Sequence, residues 1–352
     1  VFDNDFYLET SSPANIPADA PATFRLSVVM MHIFIQLPRL VCLIRHAIGH
    51  PEDSQTIELA ISLAQSLWTL DPSDIAEQIL QSTTTIISTP PGPSIADIVS
   101  ESLHFDSIEN ALLLTRYWLL EVNFSGALEN LVSHFPRETA SLLLPNLSDI
   151  RRKEMRAAKR LAQSLQYGVY TCPSLPILPL RIHTTLIWSI GSWHRLYNRT
   201  KQALEASQTN SEPAGDAGLR SDLEHALRMQ RFVADEANRL NRDWGIEPVS
   251  DKYIFAAALS AVGNDIPDWM ATSVRFEPEG GEMVMKVEYG IPPEVGTVLG
   301  MDDEQEKFTR HSTTTSPFGK DRLMPSNVFP PLERGVASQR ILYQDLGLIN
   351  KE

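Results

Sequence analysis

The sequence predicts an all-α protein: a large multi-helix bundle with a short β-hairpin and an irregular C-terminal tail. Three observations carry that class. Between residues 24 and 262, apolar side chains recur at three- and four-residue spacing in segment after segment. Those segments are separated by helix-ending punctuation such as Thr89–Pro93 (TPPGP) and Ser207–Gly218 (SQTNSEPAGDAG). Alternation of period two is confined to a stretch after Trp269.

The stretch from Leu26 to Ile48 is apolar enough to raise the membrane question. Gln36, Pro38, Arg39 and Arg45 interrupt it, and two arginines in hydrocarbon are costly, so it is expected to be a core helix kinked near Pro38. Ile57, Ala60, Ile61, Ala64, Leu67 and Trp68 form the next stripe. Asp71 before Pro72 supplies a capping acceptor and a first-turn proline for the helix that follows. Asp106 with Glu109 is read as the capping pair of a helix striped by Ile108, Ala111, Leu112, Thr115, Trp118, Leu119 and Val122. Because Leu113, Leu114, Tyr117 and Leu120 fill its other faces, this helix belongs at the centre of the bundle, with Trp118 in the core.

Met155, Ala158, Ala162, Leu165 and Val169 make an apolar seam on the next helix, with cations on the opposite side. Leu186, Ile190, Trp193 and Tyr197 stripe one helix after it. Leu219 to Trp244 stripe a long helix closed by Gly245, and Tyr253–Val262 is a short apolar helix. Val274, Phe276, Met283, Met285, Val287 and Tyr289 then alternate around a Glu-Gly-Gly turn, which predicts a β-hairpin. These segments divide the chain into an extended N-terminal segment (1–23), a helical domain (24–268), an acidic hairpin-containing segment (269–308) and a partly disordered tail (309–352).

Composition excludes several functions. A net charge of −14 argues against gripping a nucleic-acid backbone unaided. The two cysteines, Cys42 and Cys172, make neither a disulfide framework nor a zinc cluster. The N-terminal residues lack the cationic and apolar regions of a signal peptide, and residues upstream of the initial valine are expected. Tyr197 and Lys201 have the spacing of a dehydrogenase tyrosine–lysine pair, but no glycine-rich phosphate cradle accompanies them. His46 and His50 read as a helix-terminal polar pair, lacking the glutamate of a zinc-protease motif. The triplets at Asn123, Asn146 and Asn198 read as chance matches to a glycosylation signal.

The run from Arg151 to Arg160 holds six cations against one anion, Glu154. Its ordinary meaning is a solvated helix face. Its functional meaning is a docking or nuclear-import surface made of Arg152, Lys153, Arg156, Lys159 and Arg160.

The order of these segments resembles the fungal-specific transcription factor regulatory domain, the helical region downstream of a binuclear zinc cluster. The resemblance rests on LPRLVCLIRHAI, on LHFDSIENALLLTRYWLLEVNFSGALENL, on RRKEMRAAKRLAQSLQYGVY with the later LPLRIHTTLIWSIGSWHRLY, and on RMQRFVADEANRLNRDWGI. It covers roughly residues 24–262. It implies a nuclear, non-catalytic regulatory module, cytoplasmic as second choice, that contacts co-regulator proteins, itself or a small-molecule effector. It implies no membrane contact. It implies no cofactor in this chain, with zinc only if a cluster lies upstream of Val1, and DNA contact only through that segment. The alternatives are a helical interaction scaffold without a transcriptional role, and an all-helical enzyme whose site assembles from distant residues.

Overall fold

A computed structural model describes residues 12–89, 97–140, 144–170, 177–209, 216–243, 251–267, 271–279 and 282–289. The expected C-terminal tail, Gly245 and Cys172 lie outside these residues.

The apolar spacing folds into helices in the expected order. After a 3₁₀ turn at Pro13–Asn15 come α1 (Ala22–Gly49), α2 (Ser54–Trp68) and α3 (Ser73–Thr83). Strands β1 (Thr84–Ser88) and β2 (Glu101–Phe105) precede α4 (Ile108–His134) and a single turn, α5 (Pro136–Thr139). Then follow α6 (Leu147–Tyr170), α7 (Ile177–Trp188), α8 (Ile190–Thr209), α9 (Asp216–Asp243) and α10 (Asp251–Ser260). Strands β3 (Ala271–Glu279) and β4 (Glu282–Tyr289) close the described chain.

The centre is α4, buried on all sides except one half-buried strip through Leu112, Arg116, Leu119 and Asn123, with Trp118 fully enclosed. Helices α1, α2, α3, α6, α7 and α8 all pack on it. Helix α1 runs unbroken through Pro38 and buries Leu26, Ile33, Leu40, Leu43 and Ile44 against this centre. Gly263 sits at φ +99°, a conformation that side-chain-bearing residues rarely adopt, and an added Cβ would come within 2.7 Å of Ile44. That glycine lets the turn after α10 close on α1.

The late hairpin forms as expected, with Val274 opposite Val287 and Phe276 opposite Met285. Three local expectations are corrected. The cap of α4 is Ser107, whose side chain accepts from the Asn110 N–H at 3.2 Å; the Asp106 N–H is occupied by the Thr83 carbonyl. The stripe Leu186–Tyr197 is divided between α7 and α8, which part at Ser189. A second antiparallel ribbon, β1 with β2, interrupts the helical interval. The β-branched run Thr83–Ile87 explains it, because such side chains lose rotamer freedom in a helix and fit an extended chain.

Candidate functional site

The five cations singled out on α6 do not share one environment. Arg152, Arg156 and Lys159 are exposed; the Arg152 side chain is 75% exposed and pairs with Asp149 one turn away. Lys153 and Arg160 turn inward, which corrects the expectation of a single solvated face. The buried face of α6 centres on Ile150, Glu154, Ala157 and Leu161, about a quarter of a turn from the expected seam. Ala158, Ala162 and Leu165 are buried at its edge, while Met155 is half-buried. That rotation carries Lys153 and Arg160, seven residues apart, to the flank of the packed face.

There both find partners from distant segments. Arg160 donates to Glu77 of α3 at 2.7 Å, and its guanidinium lies 5.8 Å from the centre of the Trp118 ring. Lys153 Nζ lies 2.6 Å from Asp71 and 3.6 Å from Glu121, and sits 4.5 Å over the Trp68 ring.

Lys153 forms one wall of a cleft between α1, α2, α4 and α6. Trp68, Leu67, Tyr117, Phe124 and Glu121 line the rest, around a cavity of about 20 Å³, room for roughly one water. At the polar end the Tyr117 hydroxyl donates to Glu121 Oε1, and Ser73 Oγ donates to Asp71 Oδ1 at 2.6 Å. The Asp71 carboxylate also accepts from the Ser73 N–H at 3.1 Å, but the cap position of α3 is Pro72, so Asp71 stands one residue before the expected cap and the proline precedes the first turn. Glu121 Oε2 is buried without a hydrogen-bond partner. Burial pushes the Glu121 carboxyl above its ordinary value near 4.5, against the pull of Lys153. Burial and the neighbouring Glu121 charge push the Tyr117 hydroxyl far up, so it remains a donor.

Beside the cleft lies a second, more enclosed ionic cluster. Glu129 of α4 and Glu154 of α6 face Arg195 and Arg199 of α8, with Arg151 at the rim. Arg195 Nε donates to Glu154 Oε1 at 2.9 Å and lies 3.7 Å from Glu129 Oε2. Arg199 donates to both Glu129 oxygens, at 2.7 and 2.6 Å, and Arg151 donates to Oε1 at 2.8 Å. Burial would raise the Glu129 carboxyl, but Arg199 and Arg151 hold it below its ordinary value. Gly126 makes the passage of Arg195 feasible, since an added Cβ would stand 2.6 Å from that guanidinium. None of these groups was singled out by the sequence except Arg151 and Glu154, both read as parts of a solvated face. The signal was there: two glutamates, 121 and 129, inside a helix expected at the centre of the bundle demand buried partners.

The other sequence candidates are accounted for locally. His46 and His50 stack with ring centres 4.2 Å apart, and His46 faces Asp53 at 3.5 Å. Lys201 meets Glu205 on its own helix at 4.0 Å. Asn146 caps α6, accepting from the Asp149 N–H at 2.9 Å. Among the described residues no group of three or more histidine, cysteine, aspartate or glutamate side chains is placed to hold a metal ion.

Compared with known proteins, the chain matches no family model, no curated protein and no solved structure.

Proposed function

We propose that the chain is the regulatory helical domain of a fungal transcription factor, working in the nucleus through effector or protein contacts. On this reading it has no catalytic residues, and it contacts DNA only if a zinc-cluster segment lies outside it. The resemblance in segment order supports the family. The observation that carries the regulatory role is the cleft under Trp68. It combines an aromatic wall, a cation and a buried carboxyl oxygen without a partner, at a junction of four helices. Such a mixture of apolar wall and few convergent polar groups suits a small polar effector that displaces Lys153, since the cleft as it stands has room for about one water. An effector hydrogen-bonding Glu121 would compete with Lys153 and so act on the seating of α6.

The test is a fusion of the whole chain to a heterologous DNA-binding domain, read by a reporter gene. The fusion should shift reporter output relative to the DNA-binding domain alone. Trp68→Ala and Lys153→Met should alter that shift while the helical circular dichroism persists. Output equal to the DNA-binding domain alone would overturn the proposal. A second reading, a helical interaction scaffold without a transcriptional role, is favoured by the apolar outer face of α1.

A further inference from the structure

Helix α1 is apolar on two sides. Its inner face lines the core, yet only 44% of its most apolar eighteen-residue window is buried. That window is long and apolar enough to cross a membrane by length and composition, but its inner residues are committed to the core. The remaining apolar surface is ordered. Phe24, Val28, Met31, Ile35, Pro38 and Cys42 follow alternating spacings of four and three. At about 100° per residue they fall in one stripe opposite the buried one. Phe24 is 50% and Met31 51% exposed, Pro38 is exposed, and Val28, Ile35 and Cys42 are half-buried. The solvent face of a helix ordinarily carries charge. This stripe carries none.

Its flank carries charge of one sign. Arg25 and Arg39 stand on one side two heptads apart, with His32 between them bonded through Nε2 to the Gln36 amide at 2.9 Å, and α1 contains no aspartate or glutamate. Arg39 Nε is buried without a hydrogen-bond partner. A stripe of this spacing with charges along its edge is the pattern by which one helix receives another, the edge charges choosing the partner.

Charge decides among the occupants. A second copy of α1 brings no acid to these cations, and in antiparallel pairing it sets Arg25 against Arg39. An extended anionic lipid surface would meet the whole chain with its net charge of −14, whereas a single docked helix meets only the local rim. We propose that the outer face of α1 docks an acidic amphipathic helix of a partner protein. The helix lays its apolar side on the stripe from Phe24 to Cys42 and its carboxylates along Arg25 and Arg39. This gives the partner contact of the regulatory reading its chemistry and in that sense rests on it. The test below uses binding alone, so its failure and that of the reporter assay are distinguishable.

The probe is a synthetic helical peptide of about three heptads, with leucine at the seam and glutamate on the edges. Its binding to the whole chain is followed by fluorescence anisotropy. Saturable binding that weakens with added salt is expected. Met31→Asp should weaken it at least about tenfold while circular dichroism and melting temperature stay unchanged, because Met31 is half exposed. Arg25→Glu should weaken the glutamate peptide and restore binding of a lysine-edged peptide that the wild type does not bind. Absence of saturable binding, equal binding of the two peptides by the wild type, or indifference to Met31→Asp each overturns the proposal. So do two further results. One is a dimer in sedimentation velocity that Met31→Asp dissolves, which assigns the face to a second copy. The other is co-sedimentation with phosphatidylserine–phosphatidylcholine vesicles lost in Met31→Asp, which assigns it to lipid.

Discussion

Arg195→Met removes the cation at the middle of the enclosed ionic cluster. In the wild type the Arg195 side chain is 10% exposed and its Glu154 partner is fully buried. After the change Glu154 keeps only Arg199, whose nearest nitrogen is 3.8 Å from Oε2. A buried carboxylate stripped of its partner typically costs about 3–5 kcal/mol. That is a large share of the roughly 5–15 kcal/mol by which a folded protein exceeds its unfolded state. The cost belongs to the orphaned charge rather than to the lost contact, so removing both charges should cost less. Arg195→Met with Glu154→Gln is therefore expected to be more stable than Arg195→Met alone, with a coupling of about 2–3 kcal/mol. Urea denaturation followed by far-ultraviolet circular dichroism near pH 7 measures all three variants. A loss below about 1 kcal/mol for Arg195→Met, or additivity in the double variant, would refute the reasoning.

Trp118→Ala should cost about 3–5 kcal/mol by the same denaturation, because the ring is wholly enclosed at the centre of α4. Glu121→Gln and Glu129→Gln should depart from the wild type in opposite pH windows. The raised Glu121 carboxyl contributes stability fully present below its unfolded value and lost as pH rises through its folded value. The lowered Glu129 carboxyl contributes stability present above its unfolded value and lost as pH falls through its folded one. Denaturation midpoints from acid to neutral pH should show Glu121→Gln gaining on the wild type as pH rises, and Glu129→Gln losing to it. Replacing the exposed Arg152, Arg156 and Lys159 with glutamine should change stability by less than about 0.5 kcal/mol each. If they serve nuclear import, nuclear accumulation of a fluorescent fusion should fall.

What the sequence disclosed was what neighbours in the chain decide. The burial stripes of α2 and α4, the enclosure of Trp118, and the register-compatible alternation of β3 and β4 are all local patterns. The errors sit where a distant segment chooses. Glu154 looked like a lone anion in a basic run until Arg195, 41 residues later, arrived beside it. Glu129 gains Arg199 from 70 residues away. Lys153 and Arg160 have ordinary surface chemistry, and only the seating of α6 against Asp71 and Glu77 turns them inward. The cap at Ser107 was missed for a related reason, since the Asp106 N–H goes to the distant Thr83 carbonyl and its carboxylate accepts from the Asn110 side chain at 2.9 Å.

Helix α6 joins the two polar regions through consecutive residues. Lys153 reaches the cleft at Asp71 and Glu121, while Glu154 beside it in sequence reaches Arg195 in the enclosed cluster. A rigid helix cannot turn one of these side chains without moving the root of the other, and packed interiors respond by switching between arrangements rather than by deforming smoothly. A ligand that displaced Lys153 would therefore bias the seating of Glu154 against α8. Coupling of this kind is usually worth about 1–3 kcal/mol, enough for a regulatory response and too little to unfold the domain. A double-mutant cycle between Lys153→Met and Arg195→Met measures it directly, and a coupling energy above about 0.5 kcal/mol is expected. Additivity within that margin would leave the cleft and the ionic cluster as independent features, and the cleft would then have no route through α6 to α8.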